Sequence, residues 1–176
     1  MNANTNGPVD GGRERQVLFL DYDGTIHRGP SYRTRRGIVS SDPKQIRLFE
    51  FAPLVDELLA PYPDLEIVLS TSWVSVVGFD RAKECLPTSL QRRVRGATYH
   101  SKYADALAWS TIGRGIQILR YVRVHRLKRW LAVDDCIDGL DGLEEHVVKC
   151  EEHLGLGNRE TRGLLLRRLA EQFGER

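Results

Sequence analysis

Three short apolar runs, each followed at once by polar residues, set the hydrophobic pattern of this chain. They occupy residues 17–20, 65–69 and 130–133, and the residues that follow them are Asp21, Ser70 and Asp134. Mostly apolar runs of four or five residues are typical of strands buried on both faces, as in a parallel sheet. The sequence therefore predicts three buried strands whose carboxyl ends carry polar side chains.

Segments with helical spacing of apolar residues alternate with these runs. Helices are predicted at 53–59, 77–86, 115–122 and 160–173, and further strands at 94–99 and 146–150. Alternating strands and helices favour an α/β fold in which a mostly parallel sheet lies between layers of helices. We therefore predict a Rossmann-like three-layer α/β sandwich, in which ligands bind at the carboxyl ends of the strands.

Two segments lack any periodicity. Residues 1–15 are rich in Asn, Gly and charge and predict a disordered lead-in, which leaves 16–176 as a single domain. Residues 26 to about 45 form a long irregular stretch, and a loop of this length in a compact domain is often functional. We expect it to form a flap over the strand ends, with a solvated loop as the alternative. Its arginines are Arg28, Arg33, Arg35 and Arg36.

Composition excludes several classes of protein. The chain of 176 residues is 41% hydrophobic and 28% charged, with a net charge of +2, as in ordinary globular domains. No apolar run spans a bilayer and the N-terminus lacks a signal-peptide core, so we expect a cytoplasmic protein. Its three cysteines match neither a zinc nor a disulfide pattern.

The basic residues are unusual in kind. Of 26, 21 are arginines, which bind phosphate through a planar fork. A GC-rich genome would enrich arginine equally, so composition alone does not predict nucleic-acid binding.

Two carboxylates, Asp21 and Asp23, follow the first strand one residue apart, and Gly24 then permits a sharp turn. On an extended chain this spacing would direct both side chains to one side. Because the two anions repel each other, we expect a bound cation with oxygen ligands, and Mg²⁺ fits. The alternative is an ordinary Asp-Gly turn.

Polar residues also end the other two strands. Asp134 and Asp135, followed by Asp138, form a second acidic group, and unpaired carboxylates at a strand end are costly. The hydroxyls of Ser70, Thr71 and Ser72 could donate hydrogen bonds to a phosphoryl oxygen, or one could cap a helix.

The stretch Asp21-Tyr22-Asp23-Gly24-Thr25 resembles motif I of the haloacid dehalogenase-like (HAD) superfamily, whose members are mostly Mg²⁺-dependent phosphatases. The resemblance implies that Asp21 is the nucleophile and Asp23 the general acid and base. Motif II, a hydrophobic strand ending in Ser or Thr, resembles the stretch at Thr71, with Ser70 as the alternate. Motif IV, which completes the Mg²⁺ shell, resembles the acidic pair Asp134-Asp135.

Motif III of the superfamily is a basic residue, usually Lys, near the start of the helix before the last catalytic strand. Arg114 stands in that place, and Lys102 is the alternative. The resemblance implies that Asp21, Asp134 and the main-chain carbonyl of Asp23 bind Mg²⁺. Asp135 would bind it directly or through water, or would orient Arg114. The expected substrate contacts are Gly24, Ser70, Ser72 and Arg28.

Substrate class follows less directly. HAD phosphatases of small molecules usually carry a sizeable cap domain, but about 46 residues separate motifs I and II here, which leaves a minimal cap. An open site favours a large substrate, and the Arg-rich flap favours a nucleic-acid terminal phosphate. The alternatives are phosphoprotein or small phosphoester hydrolysis, phosphotransfer, and a non-catalytic binding module.

The subgroup resemblance is to the small HAD domains of RNA-repair proteins. It rests on the Ser-Thr-Ser-Trp sequence at 70–73, the stretch from Leu86-Pro87 to Arg93, Gly96-Ala97-Thr98 and the strand at 130–135.

Overall fold

A five-stranded parallel sheet forms the centre of the fold. The computed structural model describes residues 14–101 and 106–174, so residues 1–13 of the predicted lead-in and Lys102 lie outside the described part. The sheet strands are β1 (Gln16–Leu20), β4 (Leu65–Leu69), β5 (Val94–Ala97), β6 (Arg129–Asp134) and β7 (Val147–Lys149). Their order is β5-β4-β1-β6-β7, which places β1 in the middle.

Register brings the ends of the three central strands to the same level. Leu20 is paired with Leu69 of β4 and with Val133 of β6. The next residue, Asp21, donates its N–H to the Val133 carbonyl at 3.2 Å, and the Ser70 N–H donates to the Leu20 carbonyl at 2.9 Å. The polar residues that follow each strand therefore meet at one edge of the sheet.

Helices cover both faces of this sheet. Side chains from α1 (Ala52–Leu59), α3 (Phe79–Glu84), α4 (Thr88–Gln91) and α7 (Arg159–Phe173) pack with Leu18 and Leu20 in one core. On the opposite face, Ile118 of α6 (Arg114–Val124) packs with Val17 and Phe19. The predicted three-layer α/β architecture is confirmed. Among the described residues, the other α-helices are α2 (Trp73–Val77) and α5 (Ala106–Ser110).

Two predicted elements differ from the structure. The stretch expected to be an irregular flap contains an antiparallel hairpin, β2 (Ser31–Thr34) and β3 (Gly37–Ser40). Most of its residues are exposed, so the apolar alternation that marks a half-buried strand is absent. The helix predicted at 77–86 is α3, which begins only at Phe79 and ends at Glu84, because Gly78 adopts a φ of +91° and separates it from α2.

In residues 14–101 and 106–174, no helix is both long and apolar enough to cross a membrane.

Candidate active site

A cluster of three carboxylates lies at the carboxyl edge of the sheet. Asp21, Asp134 and Asp135 each offer an oxygen, and these oxygens lie within 4.8 Å of one another. Asp21 and Asp134 are buried, with 3% and 1% of their surfaces exposed. The ends of β1 and β6 therefore combine into one acidic site, as their separate acidic motifs predict.

Arg114 supplies the positive charge next to this cluster. Its Nε lies 3.1 Å from Asp134 Oδ2, and its Nη2 lies 3.7 Å from Asp21 Oδ1. Arg114 is the first residue of α6. The N–H of the next residue, Gly115, donates to the Asp138 carbonyl in the loop that follows β6. A Cβ on Gly115 would lie 2.7 Å from the Gly139 carbonyl carbon, so this helix start needs glycine to approach the loop.

Burial and mutual repulsion control the ionisation of the cluster. Burial, followed by repulsion from Asp134, raises the pKa of Asp21 well above its ordinary value, and Arg114 only partly offsets this. Burial raises the pKa of Asp134 to about 7 against the attraction of Arg114. The pKa of Asp135 is also raised, by its burial and then by Glu152. One arginine therefore does not balance the negative charge that three ionised carboxylates would carry.

The two carboxylate oxygens of Asp134 have different surroundings. Its Oδ1 accepts the Cys136 backbone N–H at 2.9 Å. Among the described residues, no well-aligned donor reaches its buried Oδ2, although the Arg114 charge is nearby. A buried carboxylate oxygen that accepts no hydrogen bond, beside two further carboxylates, fits a hard divalent cation such as Mg²⁺.

Gly24 allows the acidic cluster to close around the turn after β1. Its φ is +65°, in the left-handed region that favours glycine. A Cβ there would overlap the Asp135 carboxylate, with Asp135 Cγ only 2.9 Å away. Gly24 thus makes room for an acidic residue, a more specific role than the substrate contact expected for it.

The Asp23 side chain lies outside the carboxylate cluster, contrary to the expectation that Asp21 and Asp23 point the same way. Its Oδ1 accepts hydrogen bonds from His27 Nε2 at 2.9 Å, Ser31 Oγ at 2.7 Å and Trp73 Nε1 at 3.1 Å. The alternation of an extended strand ends at Leu20, because the following residues form a turn with the Ile26 N–H bonded to the Tyr22 carbonyl. Coordination through the Asp23 main-chain carbonyl stays a prediction.

Hydrogen bonding overcomes the effect of burial on Asp23. Burial favours the neutral acid, but the hydrogen bonds from His27, Ser31 and Trp73 outweigh it and lower the pKa of Asp23. The pKa of Asp21 is therefore raised and that of Asp23 lowered, and opposite pKa shifts are typical of paired catalytic groups with different roles. Sequence reasoning gave no function to His27 or Ser31, which lie four and eight residues after Asp23.

The hydroxyl residues after β4 differ in what they contact. Ser70 Oγ is buried and without a hydrogen bond among the described residues. Thr71 Oγ1 accepts the Trp73 N–H at 3.4 Å, which resembles a helix cap, whereas the exposed Ser72 forms no side-chain cap. The Ser70 N–H donates to the Leu20 carbonyl at the end of β1, and the choice between Ser70 and Thr71 stays a prediction.

Arg28 is already held by the protein. Its Nε lies 2.9 Å from Glu50 Oε1, and its Nη2 donates to the Gln45 carbonyl at 2.7 Å. The guanidinium therefore ties the two ends of the flap together. A substrate-binding role for Arg28 would require this ion pair to open.

The exposed Cys136 thiol lies beside the acidic cluster. Its Sγ is 3.5 Å from Asp138 Oδ2. Burial, followed by the opposed effects of hydrogen bonds at Asp138, raises its pKa, so this thiol is not an activated thiolate. Its backbone N–H, by contrast, orients Asp134.

Comparison with protein families matches residues 17–161 of the chain. The matching family is the HAD domain in Swiss Army Knife RNA repair proteins. The chain belongs to this HAD family. At the level of the superfamily it is a HAD-type hydrolase or phosphatase domain, and its Rossmann-like sheet agrees with that assignment. No curated protein matches the chain.

Proposed function

We propose that this HAD domain is a Mg²⁺-dependent phosphohydrolase that acts through an aspartyl-phosphate on Asp21. The observation that carries the proposal is the cluster of the buried Asp21 and Asp134 with the half-buried Asp135, beside Arg114. Bound there by the three carboxylates, Mg²⁺ would neutralise charge on the transferring phosphoryl group and on Asp21.

In the first step, an Asp21 oxygen attacks phosphorus in line with the leaving oxygen. The phosphorus–oxygen ester bond breaks as the bond to Asp21 forms. Arg114 and the hydroxyl of Thr71, with Ser70 as the alternate, donate to the equatorial oxygens. Asp23 hands a proton to the leaving alcohol oxygen. The lowered pKa of Asp23 means that its side chain starts as a carboxylate. It therefore takes that proton from the phosphate group of the substrate, because a phosphate monoester keeps one proton below about pH 6.

In the second step, Asp23 acts as the base. It removes a proton from a water molecule, whose oxygen attacks the phosphorus of the aspartyl-phosphate, and then passes that proton to the departing phosphate. The bond from phosphorus to the Asp21 oxygen breaks, which frees inorganic phosphate and restores the carboxylate. An acyl-phosphate suits this step because it is itself labile to water.

For the substrate we infer a phosphorylated nucleic-acid end. Between Thr25 and the start of β4 at Leu65, a stretch that the structure describes in full, the regular elements are the β2–β3 hairpin and α1, so no folded cap is inserted there. Arg35 and Arg36 are exposed at the hairpin tip, and Ser31 at its base contacts Asp23. Arginines there would contact the backbone of a nucleic acid whose end reaches Asp21. The family's description, which names RNA repair proteins, supports the same class.

Hydrolysis of p-nitrophenyl phosphate tests the activity. We expect turnover by the wild type that requires Mg²⁺ and is lost in Asp21→Asn, which keeps the size of the side chain. Equal activity in the variant would refute Asp21 as the nucleophile. If phosphate release needed an added acceptor other than water, the domain would be a phosphotransferase. A wild type that turned over neither this ester nor phosphorylated oligonucleotides and phosphopeptides would be a binding module.

A further inference from the structure

The hydrogen bonds around Asp23 are unequally divided between its two oxygens. His27, Ser31 and Trp73 all donate to Oδ1. A carboxylate oxygen with three donors has its lone pairs occupied, so it is poorly placed to carry a proton. Oδ2 is left as the oxygen that can exchange one with substrate or water.

The ring of His27 has a defined tautomer. The Phe49 N–H lies 3.4 Å from His27 Nδ1, and two donors do not face each other, so Nδ1 is the acceptor. The proton of the ring is therefore on Nε2, which donates to Asp23. The His27 side chain is completely buried between Phe49 and Trp73, which keeps the ring in this orientation.

The three donors come from separate parts of the chain. His27 belongs to the turn after β1, Ser31 is the first residue of the hairpin, and Trp73 is the first residue of α2. Trp73 Nε1 also lies 3.1 Å from Ser31 Oγ, so the serine contacts both Asp23 and the indole. Any movement of the hairpin base relative to α2 would change the hydrogen bonds of Asp23.

We propose that His27, Ser31 and Trp73 are positioning residues that fix Asp23 through Oδ1, so that Oδ2 transfers the proton, and that Ser31 couples this to the position of the arginine-bearing hairpin. The kinetic consequences rest on the proposed phosphohydrolase function. The hydrogen-bond network itself does not.

The kinetic experiment compares aryl phosphates whose leaving groups differ in basicity, because a general acid matters more for a more basic leaving oxygen. For Ser31→Ala we expect kcat to fall about threefold with p-nitrophenyl phosphate and about 30-fold with phenyl phosphate, with KM unchanged. Ser31→Thr keeps the hydroxyl and should recover most of this loss. Trp73→Phe, which keeps a packed ring but loses the donor, should behave as Ser31→Ala does.

Thr34→Val is the matched control. It removes a hydroxyl from the same hairpin, where Thr34 Oγ1 donates to the Gly37 carbonyl and accepts the Arg36 N–H. We expect any fall in kcat of this variant relative to wild type to be the same with p-nitrophenyl phosphate and with phenyl phosphate. An equal and uniform loss in Ser31→Ala and Thr34→Val would overturn the proposal, since it would reflect hairpin stability alone.

A second readout needs no activity. Nitrogen-15 NMR of the metal-free protein should show the His27 ring protonated on Nε2, with a proton that exchanges slowly with water, and faster exchange in Ser31→Ala. A ring protonated on Nδ1 would overturn the network whether or not the enzyme is active. An inactive wild type with the expected His27 signal would refute the phosphohydrolase function and, with it, the catalytic purpose of the network.

Discussion

The Asp135 carboxylate occupies the space that a side chain at Gly24 would need. Asp135 Cγ would lie 2.9 Å from a Cβ at this position, and the Cα of Glu152 would lie at 3.0 Å. The turn that carries Asp21 and the loop that carries Asp135 therefore fit together only through a glycine. Their contact unites the two acidic motifs in one site.

Replacing this glycine should disable the site. Gly24→Ala should lower kcat with p-nitrophenyl phosphate by about 100-fold, the cost of displacing catalytic groups by about 1 Å. Gly142→Ala is the control, because Gly142 has a comparable φ of +79° but nothing lies within 4 Å of the added Cβ. Similar losses of activity in both variants would mean that backbone strain, rather than overlap with Asp135, causes the defect.

Arg114 should be the functional basic residue of motif III. Arg114→Met removes the charge that contacts Asp134 and Asp21, and kcat should fall about 100- to 1,000-fold. Arg114→Lys keeps the charge but not the fork, and should recover only part of the activity. The kcat of Lys102→Met should stay within about threefold of the wild-type value. A larger loss from Lys102→Met than from Arg114→Met would transfer the role to Lys102.

When no metal is bound, ionisation of the acidic cluster should lower the free energy of unfolding. The pKa of Asp134 is about 7 in the folded protein and ordinarily 3.8, so the folded state binds its proton more tightly than the unfolded chain. The stabilisation from protonated Asp134 is therefore complete below the ordinary pKa of 3.8, and it is lost as the pH rises through the folded-state pKa of about 7. Asn at this position does not titrate.

We therefore expect metal-free wild type to lose about 1–3 kcal/mol relative to Asp134→Asn between about pH 5 and pH 8. Urea unfolding in the presence of a chelator measures this difference. Mg²⁺ should stabilise the wild type and not the variant. A difference independent of pH would show that Asp134 is ionised in the free protein throughout this range.

Much of this site could be predicted from the chain itself. The apolar runs before Asp21, Ser70 and Asp134 specify buried parallel strands, and parallel strands bring their carboxyl ends together. Arg114 follows from its place at the start of α6. These features are local patterns combined with one topological rule.

The surroundings of Asp23 could not be predicted in the same way. Its three donors come from different elements, and the pairing of Ser31 with Trp73 depends on how the hairpin packs against α2. The sequence does not predict the hairpin, because its exposed strands show no alternation of apolar and polar residues. Arg28, expected to bind substrate, contacts Glu50, 22 residues away, a long-range pairing that sequence spacing does not reveal.

The arginines at the hairpin tip should contribute to nucleic-acid binding only. The double variant Arg35→Ser/Arg36→Ser should raise KM for a phosphorylated oligonucleotide about tenfold and reduce the salt dependence of binding by about two counterions. Hydrolysis of p-nitrophenyl phosphate should be unchanged.

The control for this variant is Arg123→Ser/Arg126→Ser. It removes two exposed arginines at the far end of α6, about 15 Å along the helix from Arg114. If this control weakened oligonucleotide binding and the hairpin variant did not, the nucleic acid would bind at the far end of α6.

Chemical trapping of the intermediate tests the function most directly. The protein is mixed with Mg²⁺ and an aryl phosphate, quenched in acid and reduced with borohydride, which converts an aspartyl-phosphate into homoserine. Mass spectrometry of the peptides should locate homoserine at residue 21, dependent on both substrate and Mg²⁺, and absent from Asp21→Asn. Turnover without modification of Asp21, or with the label at another residue, would contradict the mechanism.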